Sequence, residues 1–93
     1  MQENDAPPPP EGAEVEVDAL GLLCPLPVLR ARKRLRALAP GARLALLADD
    51  PAAVVDVPHF CAEGGHVLEA AAALPGGGRR YLIRKGGDAS SRR

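Results

Sequence analysis

One cysteine in this chain stands where sulfur is able to react. Cys24 lies in Leu22-Leu23-Cys24-Pro25-Leu26-Pro27, between an apolar, strand-like segment and a long apolar-basic stretch. A thiol at a strand-to-helix junction is exposed, rigidly held and faced by helix-end amides. Those amides and the helix macrodipole favour the thiolate. Pro25 and Pro27 have no N–H, so only Leu26 and Val28 remain as donors, and a lowered but not extreme pKa is expected. The residue before a proline is pushed out of the α region, so Cys24 is expected to be extended, ahead of the helix, on a stiff elbow.

Several cysteine chemistries fit the surrounding residues poorly. A dithiol oxidoreductase needs a resolving cysteine, typically in Cys-x-x-Cys, and Pro27 occupies that position. A cysteine hydrolase needs a base beside the sulfur, and neither His59 nor His66 lies in a motif that would place it there. Cys24, Cys61, His59 and His66 could supply four zinc ligands, but no pair has a finger-like spacing, and no metal or cofactor is expected. Simple exchange remains: accept a group on sulfur, hold it and pass it on. A persulfide carrier needs only one accessible thiolate and partners that dock. Cys61 reads differently, because it shares a helical stripe with Val54 and Val57, and free cysteine is among the most buried residue types.

The elements that must position Cys24 are those of one small domain of 93 residues. Hydrophobic content is 46%, aliphatic rather than aromatic, so a packed core is affordable. Net charge is zero, and no global basic field draws the chain to nucleic acid. The charges are nonetheless segregated. Residues 1–18 carry six acids and no base, and residues 30–36 carry Arg30, Arg32, Lys33, Arg34 and Arg36 with no acid. An acidic, proline-rich start without a secretory h-region, and no run of transmembrane length, point to a reducing cytoplasm with free thiols and no membrane contact.

Residues 1–13, with Pro7-Pro8-Pro9-Pro10, are expected to be a disordered leader, residues 14–87 the folded domain and residues 88–93 a flexible tail. Val15, Val17 and Ala19 alternate with acids as a strand with one wet face, and Gly21 marks a break. From Pro27 to Ala39, Val28, Ala31, Leu35 and Leu38 form one helical stripe, stopped by Pro40-Gly41. Leu44–Ala48 reads as a strand buried on both faces, and Asp50 as an N-cap before Pro51. Because Pro58 cannot sit in a regular helix interior, a short turn over 51–56 and a separate helix over 58–63 are expected. His66–Leu74 and the Tyr81/Ile83 alternation supply two more strands. The order βαβαββ predicts an α/β (α+β) two-layer sandwich: a four-stranded mixed sheet with two helices on one face.

Four blocks in this order resemble the TusA/SirA-like sulfur carriers. The first is Asp18-Ala19-Leu20-Gly21-Leu22-Leu23-Cys24-Pro25-Leu26-Pro27, similar to that family's D-x-x-G-x-x-C-P-x-P hallmark. The others are Leu47–Ala52, Asp56–Cys61 and Tyr81–Gly87, so the resemblance spans about 14–87. It implies the same βαβαββ sandwich, like the C-terminal domain of translation initiation factor three. It also implies a sulfurtransferase-type carrier without independent turnover. Cys24 would take sulfane sulfur as a persulfide from a cysteine desulfurase or rhodanese-type donor and pass it to a downstream acceptor protein. Gly21, Pro25 and Pro27 match the motif's positioning residues. Leu26 stands where Glu is common. The closing block is nearest the branch serving transfer-RNA 2-thiouridine synthesis, and sulfur oxidation and molybdenum cofactor assembly are the alternative destinations.

The basic run lies on the helix that carries Cys24 at its start. Arg30, Arg32, Lys33, Arg34 and Arg36, with Asp50, are therefore candidate docking residues, since such charges set on-rate and partner selection. No aromatics interleave with the bases, so direct nucleic-acid binding is not expected. The sequence is compatible with a monomer. Two competing functions are a non-catalytic regulatory or interaction module and a thiocarboxylate carrier using Gly86-Gly87. The latter would need the six following residues removed.

Overall fold

The computed structural model describes residues 14–87. The expected leader (1–13) and tail (88–93) lie outside the described residues. Six elements follow one another: β1 (Glu14–Asp18), α1 (Leu26–Arg36), β2 (Arg43–Ala48), α2 (Ala53–Gly64), β3 (Val67–Ala73) and β4 (Arg79–Arg84). The strands form one sheet in the order β1-β2-β4-β3. β1 pairs parallel with β2, while β4 runs antiparallel to both β2 and β3. The α2 crossover thus carries the chain past a vacant strand position, and β4 returns to fill it. This is the α+β, mixed-sheet arrangement that the element order predicts.

Strand alternation divides the sheet into two faces. Val17, Leu44, Leu46, Tyr81 and Ile83 point to the helical side, where they pack with Ala31, Leu35 and Leu38 of the α1 segment and with Ala53, Val57 and Cys61 of α2. Burying each of the larger aliphatic side chains stabilises the fold by roughly 2 kcal/mol before entropy. On the open face, Arg80 pairs with Glu14 and, at 3.9 Å, with Glu16, while Glu69 takes Arg43 at 2.7 Å and Arg84 at 2.8 Å. On the same face Ala45, between Glu16 of β1 and Leu82 of β4, is fully buried. The continuous apolar run of β2 therefore belongs to a central strand covered on both sides.

Two local expectations need correction. Residues 53–64 form one continuous helix, not a turn followed by a helix, and Pro58 lies inside it. The proline removes one i→i−4 hydrogen bond, to the Val54 carbonyl. Val54 and Pro58 are both on the exposed side, where water can take that carbonyl. Burial of Ala53, Val57 and Cys61 holds the helix together on the other side. The buried stripe accordingly runs 53/57/61, and Val54, assigned to it from spacing, is half exposed. Secondly, α1 begins at Leu26 and ends at Arg36, where the Ala37 amide bonds Arg34 O and the Leu38 amide bonds Leu35 O. Leu38 stays buried through this tighter last turn.

The closing segment ties the far end of the molecule. The Lys85 amide donates to Ala42 O, the Gly41 amide donates to Lys85 O, and Lys85 Nζ reaches Leu38 O at 2.7 Å. The Gly86 amide donates to His66 Nδ1 at 3.0 Å. A Cβ on Gly86 would lie 1.8 Å from Gly65 O, so only glycine fits there. Gly86 is thus built into the domain, which disfavours a free diglycine tail.

Candidate functional site

β1 and β2 are parallel, so the loops that follow them emerge at the same edge of the sheet. One is the Cys24 elbow and the other is the Asp49–Ala52 turn. This is why residues far apart in sequence meet at the sulfur. Gly21, at φ +83°, makes the turn after β1 and donates its amide to Asp49 Oδ1 at 3.0 Å. The Cys24 amide donates to Asp50 Oδ2 at 2.5 Å, and Asp50 Oδ1 accepts from the Ala52 amide at 3.2 Å. Asp50 is therefore more than the expected cap. The N-cap position of α2 is Ala52, and Asp50 clamps the Cys24 elbow to the turn that leads into α2.

Cys24 is exposed and carries a free thiol. Its Sγ donates to Asp56 Oδ2 at 2.8 Å. Asp56 belongs to the first turn of α2, where its amide bonds Ala52 O at 2.9 Å and its neighbour Val57 is fully buried. The aspartate is thus presented to the sulfur from a rigid base. Pro25 is the N-cap of α1, the Cys24–Pro25 peptide is cis, and Pro27 is buried beneath the elbow.

The electrostatics reverse the expected direction. The Cys24 pKa is raised above the ordinary thiol value, first by the hydrogen bond to Asp56, then by partial desolvation and by the negative charges of Asp56 and Asp50. Carboxylates stabilise the protonated thiol and repel the thiolate. The Leu26 amide, one of the two expected to face the sulfur, donates to Leu23 O instead. Asp56 was absent from the candidate residues because nothing local links it to a cysteine 32 positions earlier.

The other candidates are dispersed. Arg30, Arg32, Lys33, Arg34 and Arg36 are all exposed, but they divide around α1. Arg30, Lys33 and Arg34 line a shallow groove with Glu16 and Asp18, whereas Arg32 and Arg36 face Phe60, His66 and Lys85 in another, of about 360 Å³. Neither groove includes Cys24. Exposed apolar side chains adjoin Cys24 and Asp56 in sequence: Leu23 and Leu26 on either side of the Cys24–Pro25 pair, and Val55, 70% exposed, before Asp56. His59 pairs with Glu63 and His66 with the Gly86 amide, and the hydrogen-bond partner of Cys24 Sγ is Asp56, not a histidine. Cys61 is buried, and its pKa is pushed up to about 11 by that burial. Among the described residues no group of His, Cys, Asp and Glu side chains could hold a metal ion. No helix among them is long and apolar enough to cross a membrane.

A family model described as sulfurtransferase TusA matches residues 15–85. The chain belongs to that family. The match runs from the second residue of β1 through β4 and takes in both loops of the Cys24 site. Membership in the TusA family makes sulfur carriage the general role of this protein and relay partners a general requirement.

Proposed function

We propose that this TusA-family protein carries sulfane sulfur as a persulfide on Cys24. The observation that bears most weight is an exposed free thiol on a clamped elbow inside the family match, while the second cysteine is buried. The donor is a cysteine desulfurase or rhodanese-type protein, and the cargo passes to an acceptor protein. The closing Tyr81–Gly87 block favours transfer-RNA 2-thiouridine synthesis as the destination, in a reducing cytoplasm. Partners approach an apolar ledge of Leu23, Leu26 and Val55, with the bases of α1 guiding them from either side. Asp50 contributes by fixing the elbow.

The test is incubation with a cysteine desulfurase, pyridoxal phosphate and cysteine, followed by intact mass without reductant. A gain of one sulfur atom on Cys24, removable by reductant and absent in Cys24→Ser, is expected. No gain with several donors, while Cys24 still reacts with a thiol reagent, would transfer preference to a non-catalytic interaction module. Charge reversal at Arg32 and at Lys33, made separately, probes the two sides of α1. Unchanged loading at low and high salt would remove the docking role.

A further inference from the structure

Asp50 has both carboxylate oxygens committed to backbone amides, those of Cys24 and Ala52. Asp56 instead meets the sulfur itself, at a distance suited to direct proton transfer. Both histidines are engaged elsewhere. We propose that Asp56 is a catalytic residue of sulfur transfer: it takes the Cys24 proton as Sγ attacks the donor and returns it to Sγ when Cys24 is the leaving group. This rests on the persulfide-carrier reading of Cys24.

The steps balance without an outside oxidant. In loading, Cys24–SH, the Asp56 carboxylate and a donor persulfide R–S–SH give Cys24–S–SH, protonated Asp56 and the thiolate R–S⁻. The Sγ–S bond forms, the donor S–S bond breaks, and its electron pair leaves on the donor sulfur. In unloading, an acceptor thiolate R′–S⁻ attacks the terminal sulfur of Cys24–S–SH. The Cys24 Sγ–S bond breaks, Sγ takes the proton held by Asp56, and R′–S–SH departs.

The geometry favours this assistance. A thiol held protonated by two carboxylates offers little free thiolate at neutral pH, and as a leaving group it departs slowly unless protonated. The groups facing Sγ are Asp56 from α2 and Asp50 from the β2–α2 loop, both acidic. No cation supplies the missing activation among the described hydrogen-bond partners of Sγ.

Two rates measured on the same variants separate a proton carrier from a mere electrostatic brake. Alkylation by iodoacetamide reports the free thiolate, and intact mass reports sulfur uptake from a loaded desulfurase. Asp56→Asn should move the alkylation midpoint to lower pH and speed alkylation at neutral pH. It should at the same time slow sulfur uptake by about tenfold or more. Asp56→Glu, which keeps a carboxylate near Sγ, should recover much of the uptake. If Asp56→Asn loads as fast as the unaltered protein, or faster, the proton role is wrong and Asp56 only restrains the thiol. Should Asp56→Asn fail to fold, Asp56→Ser, which also removes the carboxylate, is put through the same two rates, and unslowed uptake there likewise overturns the proton role. If the unaltered protein itself takes up no sulfur, the carrier reading falls and takes the Asp56 role with it. Loading by the unaltered protein with loss only of the Asp56 effect rejects the Asp56 role alone.

Discussion

Gly86→Ala should cost this domain a large share of its stability. The new Cβ would meet Gly65 O at 1.8 Å, and the contact must open to at least 3.0 Å. The clash is with backbone, so no side chain can swing aside. Three hydrogen bonds lie in the path of the movement: Gly86 to His66 at 3.0 Å, Lys85 to Ala42 at 2.8 Å and Gly41 to Lys85 at 3.0 Å. At about 1 kcal/mol net for each, the loss is about 3 kcal/mol. A folded unit of this size is stable by roughly 4–11 kcal/mol. The midpoint of thermal unfolding should therefore fall by about 12–24 °C. Urea unfolding followed by circular dichroism measures the loss, and Gly87→Ala is the control, since a Cβ there meets nothing within 4 Å. The control should stay within about 0.5 kcal/mol of the unaltered protein. Equal midpoints for the two variants would refute the reasoning, because they would mean that the Gly65–Gly86 approach opens freely.

Other outcomes follow from the titrating groups. The rate of Cys24 alkylation by iodoacetamide should reach half its maximum at a higher pH than free cysteine does in the same buffer, and a lower midpoint would contradict the carboxylate environment. Cys61 should escape alkylation in the native protein and react fully in urea. Its folded pKa of about 11 exceeds that of the unfolded thiol, so its contribution to stability is complete below about pH 8.5 and is lost as pH rises through the folded value. Cys61→Ala should flatten that alkaline decline in a urea-midpoint series. Glu69 is held below the usual carboxylate range by Arg43 and Arg84. Its contribution is present above the unfolded carboxylate pKa and is lost as pH falls through the folded one, so Glu69→Gln should flatten the acid limb at low salt and change little at high salt.

The sequence carried much of the architecture, because its signals there are local and periodic. The stripe of Ala31, Leu35 and Leu38 and the apolar run of β2 each follow from one element's own burial. Pro58 misled because its cost depends on which way its ring faces. It faces water here, and three buried side chains outweigh one lost hydrogen bond. Val54 looked like core at one spacing, while Ala53 took the position at the other. The exposure of Cys24 was legible from its proline frame, but its acidity was not. Acidity depends on which groups face the sulfur, and those arrive from the next loop and helix. Asp50 and Asp56 sit in the Leu47–Ala52 and Asp56–Cys61 blocks that resemble the family, and that was the available signal. Pairing them with Cys24 required the parallel β1–β2 register.

The hydrogen bonds that fix Cys24 join it to residues 26 and 32 positions further along the chain. Protein synthesis runs in that direction, so the thiol is made before either carboxylate. Until the chain folds, the cysteine has the acidity of any free thiol, because neither carboxylate is held against it. Only when the second helix docks does the sulfur acquire its guard.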